Sequence, residues 1–226
     1  MKKIKILLLS VLLIAAVNCL YSQKFSVEAG YVQPKSVKSA ANEGYPNYFH
    51  GERIGVNVQF YLKYNFSLLT GALYSVVYGT DTQGPLLSDT IYNGIVRDRT
   101  FMHSVSVPLR VNYFVQLPKD IKLFAFAGPN VNIGLGASRD RTVSLTSSLL
   151  ETFKDEFGMT YKTGVDDLYK NALIHRINFQ LGAGGGIQWK NYQLKAGYDF
   201  GINNLSRIDI YKLHTSGWWV SFAYQF

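Results

Sequence analysis

Cysteine is almost missing from this chain of 226 residues: the only one is Cys19. It lies inside the first 22 residues, which read as an export signal. Lys2, Lys3 and Lys5 form a basic start, and Ile6 to Val17 is an apolar run too short to cross a bilayer comfortably. Cleavage is expected after Ser22, although Leu20 is larger than the usual small residue at its position. Asn18 stands where a lipoprotein signal carries a small residue before its cysteine, so Cys19 reads as a passenger. The exported part, 23–226, then has no cysteine. That excludes disulfides and thiolate metal sites, and no other motif calls for a metal or cofactor.

Long apolar runs are equally missing after residue 22, so no spanning helix is expected. Removing the three signal lysines lowers the net charge from +8 to +5. The segments 34–51, 79–100, 136–175 and 202–216 together hold 11 basic and 11 acidic residues. A basic patch for nucleic acid or lipid headgroups is therefore not indicated.

What the chain does have is alternation. In the last segment Trp218, Val220, Phe222, Tyr224 and Phe226 share one face, with Gly217, Trp219, Ser221, Ala223 and Gln225 opposite. Period two marks a strand with two different faces. Segments 52–62, 101–116, 176–189 and 192–201 repeat it, and 24–33, 66–78 and 121–135 do so more loosely. Pro129 predicts a bulge or kink in the sixth strand. Eight strands of about ten residues fit tilted bilayer crossings. The links at 63–65, 117–120 and 190–191 are tight, and alternate with the four long segments. In an up-and-down antiparallel meander, every long loop then lies at one end, as in a transmembrane β-barrel with long external loops.

A soluble lipocalin-like barrel is the rival, with apolar residues inside and polar ones outside. Alternation cannot say which face points inward. Glycine on the polar face suits a narrow lumen. Aromatics near strand ends (Tyr31, Phe60, Tyr78, Tyr113, Trp189, Tyr192, Trp218 and Phe226) suit two headgroup girdles.

Phe222, Tyr224 and the terminal Phe226 resemble the C-terminal signature of outer-membrane barrels that the barrel assembly machinery reads. Three internal pieces are similar to the porin-like or PorT-like outer-membrane barrels of the Bacteroidota. They are Val107 to Tyr113 (VPLRVNY), Gln180 to Gly186 (QLGAGGG) and Leu194 to Asn204 (LKAGYDFGINN). The signal ending in Ser22 and Gln23 resembles that group too. The resemblance implies an eight-stranded barrel in the cell outer membrane, in contact with its lipid. It does not imply one activity: members range from structural barrels to a component linked to protein secretion.

The glycine run 182–186 is no dinucleotide fingerprint, since the third glycine of that motif would fall on Ile187 and no helix pattern follows. The polar face carries Glu28, Arg53, Arg110, Arg176, Lys195 and Asp199. In a narrow barrel these six predict a lumenal network of ion pairs that plugs the interior. The alternative is an anion-selective path for small solutes, because four basic groups face two acids. His214, Thr215 and Ser216 resemble the His-x-Ser element of outer-membrane lipid A deacylases. That chemistry needs a carboxylate to orient the histidine, typically a downstream glutamate, and none follows Glu156. A lipid A-modifying enzyme is thus a lesser alternative to a chain without catalysis.

Segment 136–175 reads as a long loop with two helical pieces. Ser148 to Glu151 looks like a capping box, after which Leu149, Leu150, Phe153 and Phe157 share a helical face. A second piece is expected from Asp166 through Leu168, Ala172 and Leu173 to His175. The apolar face is either a contact surface for a partner protein or a cap on the barrel mouth. The expectation is a non-enzymatic outer-membrane barrel, structural or partner-binding through its external loops, with a narrow channel as the alternative.

Overall fold

The computed structural model describes residues 23–40, 43–83, 95–144, 164–207 and 212–226. The expected signal, 1–22, and the apolar face Leu149, Leu150, Phe153 and Phe157 lie outside the described residues. Among the described residues there are ten strands: β1 (Gln23–Ala40), β2 (Glu43–Tyr48), β3 (His50–Tyr61), β4 (Phe66–Gln83), β5 (Ile95–Gln116), β6 (Ile121–Ser144), β7 (Gly164–Asp167), β8 (Ile177–Trp189), β9 (Tyr192–Gly201) and β10 (Lys212–Gln225). Eight of them form an antiparallel ring in the order β1, β3, β4, β5, β6, β8, β9, β10. β10 closes the ring on β1 from Ser26 opposite Gln225 to Ser39 opposite Lys212. Closure leaves no sheet edge across the bilayer, where unpaired backbone would find no water.

The apolar face points outward. Ile54 and Val56 are 62% and 56% exposed, while their neighbour Asn57 is 1% exposed in the lumen. This is the polarity of a membrane barrel and the reverse of a lipocalin-like one. Three tight hairpins close one end, and Tyr64, Asn65, Lys119, Asp120 and Lys190 take positive φ there. That backbone hand matches the right-handed twist of the flanking strands. Among the described residues there is no helix long and apolar enough to cross a membrane; the strands cross instead.

Two expectations are corrected. The strands run well past their expected loop-side ends: β5 has 22 residues and β6 has 24. Much of 79–100 and 136–144 is therefore ladder, as are β2 within 34–51 and the start of β10 within 202–216. Beyond the bilayer neither face needs to be apolar, so Arg97, Asp98 and Arg99 pair with Thr142, Arg141 and Asp140 without any alternation to reveal it. The second helical piece is absent: β7 pairs β6 over 164–167, and 168–172 is turn. At Pro129 the expected break is present on the β5 side, where Gly128 and Pro129 have no partners opposite Leu109 and Arg110, while pairing with β8 continues opposite Leu181. The register shift of β6 falls farther along, opposite His103 and Ser104. Pro129 lacks only the amide that would face β5.

Candidate functional site

The lumen divides into a filled half near the tight turns and an open half near the long loops. Between them lies a charged layer. Glu28 on β1 accepts hydrogen bonds from Arg53 Nη2 at 2.5 Å and Asn57 Nδ2 at 2.8 Å, and pairs with Lys195 on β9. Arg53 Nε donates to Ser221 Oγ at 2.9 Å, and its guanidinium sits 3.8 Å above the Trp219 ring. Trp219 Nε1 donates to Asp199 Oδ2 at 3.0 Å, and Asp199 pairs with Arg110 on β5. Arg110 Nη1 also donates to the carbonyls of Gly182, at 3.1 Å, and Gly128. One chain of contacts thus runs Lys195, Glu28, Arg53, Trp219, Asp199, Arg110. Each charge has an opposite partner, as burial in low dielectric requires.

Gly128 has φ 153°, and a side chain there would run into the Leu109 carbonyl. The glycine before Pro129 therefore lets β5 and β6 approach while its own carbonyl turns to Arg110.

Of the six residues expected in this network, five meet. Arg176 does not. It stands one residue before β8, exposed at the loop-side mouth, and donates to the carbonyls of Gly134 at 3.2 Å and Leu135 at 3.0 Å. Its guanidinium lies 4.5 Å from the Tyr169 ring. The register shift of β6 leaves Leu135 without a partner on β5, and Arg176 takes up its carbonyl together with that of Gly134.

Below the charged layer the lumen is filled by aromatics; alternation put Trp219 on this face but did not flag Phe114, Phe124 or Phe126. Trp219 and Phe126 stack at 5.5 Å and 16°, and Phe124 and Phe114 continue the column toward Tyr61. Their space comes from glycines paired with them on the neighbouring strands, Gly197 opposite Trp219 and Gly186 opposite Phe124. A Cβ on Gly197 would come 2.7 Å from Trp219 Cζ2, and one on Gly186 2.5 Å from Phe124 Cζ. The glycine-rich face was the available signal: small lumenal residues on one strand leave room for large ones on the strand beside it. A band of amides, with Gln225 bonded to Gln59 and Gln188, seals the turn-side end.

Above the layer is a cavity of about 270 Å³. Its roof comes from the turn after β7 and the segment after β9. Leu168, Leu205 and Leu213 are buried there. His175 N donates to Leu205 O at 2.8 Å and Arg207 N to Leu173 O at 3.1 Å, so the two segments hold each other.

Phe222 and Phe226 are exposed on the outward face beside Tyr224, with Tyr192 5.2 Å from Tyr224 and 5.8 Å from Phe222. His214 and Ser216 face outward on β10, and Ser216 Oγ accepts a hydrogen bond from Tyr198 at 3.0 Å. Asp199 is committed to the lumen, and Asp209 lies outside the described residues. Among the described residues no group of histidine, cysteine and carboxylate side chains could hold a metal.

A family model described as an outer membrane protein beta-barrel domain matches residues 18–207. Comparison with curated proteins finds no match. Solved structures with a similar fold include Neisserial surface protein A, at 12% identity and TM-score 0.40, covering 89% of this chain and 97% of that one. Ail of Yersinia pestis, in complex with the heparin analogue sucrose octasulfate, gives 11% and 0.35, covering 91% and 99%. The outer membrane enzyme PagL gives 13% and 0.38, covering 84% and 97%. At such identities none of these likenesses carries an activity to this chain.

Proposed function

Because this chain belongs to the family of outer membrane protein beta-barrel domains, we propose that it is a non-conducting, non-enzymatic barrel whose working surface is its external end. The observation that carries the reading is the filled lumen. The Glu28, Arg53, Lys195, Arg110 and Asp199 layer lies over the column of Trp219, Phe126, Phe124 and Phe114. A solute would have to part ion pairs that are worth keeping only while intact. The long strands support the second half of the reading: β4, β5 and β6 carry the sheet beyond the bilayer and end in the loops where partner-binding residues concentrate. The signal at 1–22 would deliver the chain for export, and Phe222, Tyr224 and Phe226 would be read by the assembly machinery.

The purified protein in planar lipid bilayers tests it. Insertion without stable unitary current is the expected result. Stable, anion-selective steps would instead support the channel reading. The lipid A-enzyme reading draws on no further observation: Ser216 is bonded to Tyr198, and Asp199 faces the lumen.

A further inference from the structure

Arg176, which the charged layer leaves out, lines the loop-side cavity. Its clamp on the Gly134 and Leu135 carbonyls uses Nη1 alone. Nε and Nη2 form the edge of a guanidinium that takes a carboxylate through two parallel hydrogen bonds. Among the described residues nothing occupies that edge, and no carboxylate pairs with Arg176. Tyr169 stands beside it and lines the same cavity. Its ring lies 4.5 Å from the guanidinium, and its hydroxyl covers Gly134, where a Cβ would run into it. That hydroxyl also has no hydrogen-bond partner among the described residues. Two donors with nothing in the protein to donate to therefore lie side by side in the cavity wall.

The balance of charge around the cavity points the same way. Glu28 holds Arg53 and Lys195, Asp199 holds Arg110, Asp98 holds Arg141 and Asp166 holds Arg139. Asp81 lines the cavity too, and with it the walls and their partners carry six cations against five carboxylates. One monoanion cancels the excess, whereas a neutral guest leaves it and a cation adds to it. The free donors have apolar neighbours. Leu168 precedes Tyr169, and the Leu205 carbonyl accepts from the N–H of His175, next to Arg176; both leucines are buried in the roof. We infer that the loop-side cavity is a binding site for a small organic monoanion, a carboxylate carried on a ring-sized apolar body. The carboxylate takes the Nε and Nη2 edge of Arg176 and the Tyr169 hydroxyl, and the body lies beneath Leu168 and Leu205. Arg176 is exposed at the mouth, so the guest enters from the external side. The volume of about 270 Å³ lies just under the roughly 300–1,000 Å³ of pockets that hold drug-sized ligands, so the guest is smaller than those.

The inference goes beyond the closed-barrel reading, and the two fail separately: current reports the filled half, and binding reports the cavity. The test is equilibrium dialysis of the folded protein in an uncharged detergent with benzoate, with benzyl alcohol as its neutral counterpart and inorganic phosphate as an anion without a body. Saturable one-to-one benzoate binding is expected, tighter than benzyl alcohol by at least about ten-fold. Phosphate at equal concentration should leave benzoate bound. Arg176→Gln should weaken benzoate by at least about ten-fold while keeping the folded gel mobility. Tyr169→Phe keeps the ring beside Arg176 and should weaken benzoate by about five-fold. If Arg176→Gln fails to fold, Arg176→Lys keeps the charge without the fork and should also weaken benzoate. Benzoate uptake that never saturates, or that is the same in the folded Arg176 variant, overturns the site. Equal binding of benzyl alcohol overturns the need for charge. Displacement of benzoate by an equal concentration of phosphate overturns the organic class of ligand and leaves a bare anion contact.

Discussion

Glu28 is the residue on which the charged layer turns. Its side chain is 2% exposed and neutralises two cations at once. Glu28→Gln keeps the shape but leaves Arg53 and Lys195 buried with no anion of their own. The expected loss is about 3–5 kcal/mol, as for any buried pair broken from one side. Denaturant unfolding in lipid vesicles, followed by tryptophan fluorescence, measures it; a loss under about 1 kcal/mol would mean that water reaches the layer. Asp167 acts at the partly exposed loop end. Its carboxylate accepts from the backbone N–H groups of Lys170 and Tyr169, each at 3.0 Å, and the first of these is the largest cause holding its pKa below the ordinary aspartate value. A depressed folded pKa means that the contribution to the turn is fully present above the unfolded value. It is lost as pH falls through the folded one. Hydrogen exchange should show extra protection of those two amides relative to Asp167→Asn at neutral pH, disappearing in acid. Protection equal in both proteins at every pH would remove the capping role. The sequence made Glu28 legible because a charge on the polar face of a crossing strand has one place to go. Arg176 was misread because its strand starts one residue later, and nothing in period two marks that boundary.

At the scale of elements, a strand is readable where its two faces meet different media. The eight membrane-crossing segments were legible for that reason: lipid demands apolar side chains outside, and a narrow lumen admits glycine and paired polar groups inside. Above the bilayer both faces meet water and the signal vanishes, although the ladder continues through Arg97 to Arg99 and Arg139 to Thr142. The roof was misread as helix for a related reason. Leu168 and Ala172 have helical spacing, but Leu168 is buried in a turn in which Leu173 N reaches back to Leu168 O at 3.0 Å. The aromatic column was also hidden, since Phe124 and Phe126 break the polar face of β6. Because β6 and β7 already pair from Ser138 opposite Asp167 to Arg141 opposite Gly164, a short hairpin link can replace 145–163. That variant should retain the ring, the roof and the stability of the parent within about 1 kcal/mol. Loss of folding would show that the replaced segment is part of the scaffold.

For the whole molecule, one closed ring accounts for the outward apolar face, the paired charges within and the asymmetry of the two ends. The tight turns and both strand termini of the β1 to β10 seam lie at one end: Phe226 N donates to Phe25 O at 2.8 Å and Gln225 N to Asn191 O at 2.8 Å. The ladder has no free edge at which unfolding in detergent could begin, so the folded form should resist SDS until heated. Electrophoresis of outer-membrane fractions, boiled against unboiled, tests this most directly. The account predicts a band in the membrane fraction whose mobility shifts on boiling. Protein in the soluble fraction with the same mobility in both lanes would contradict it.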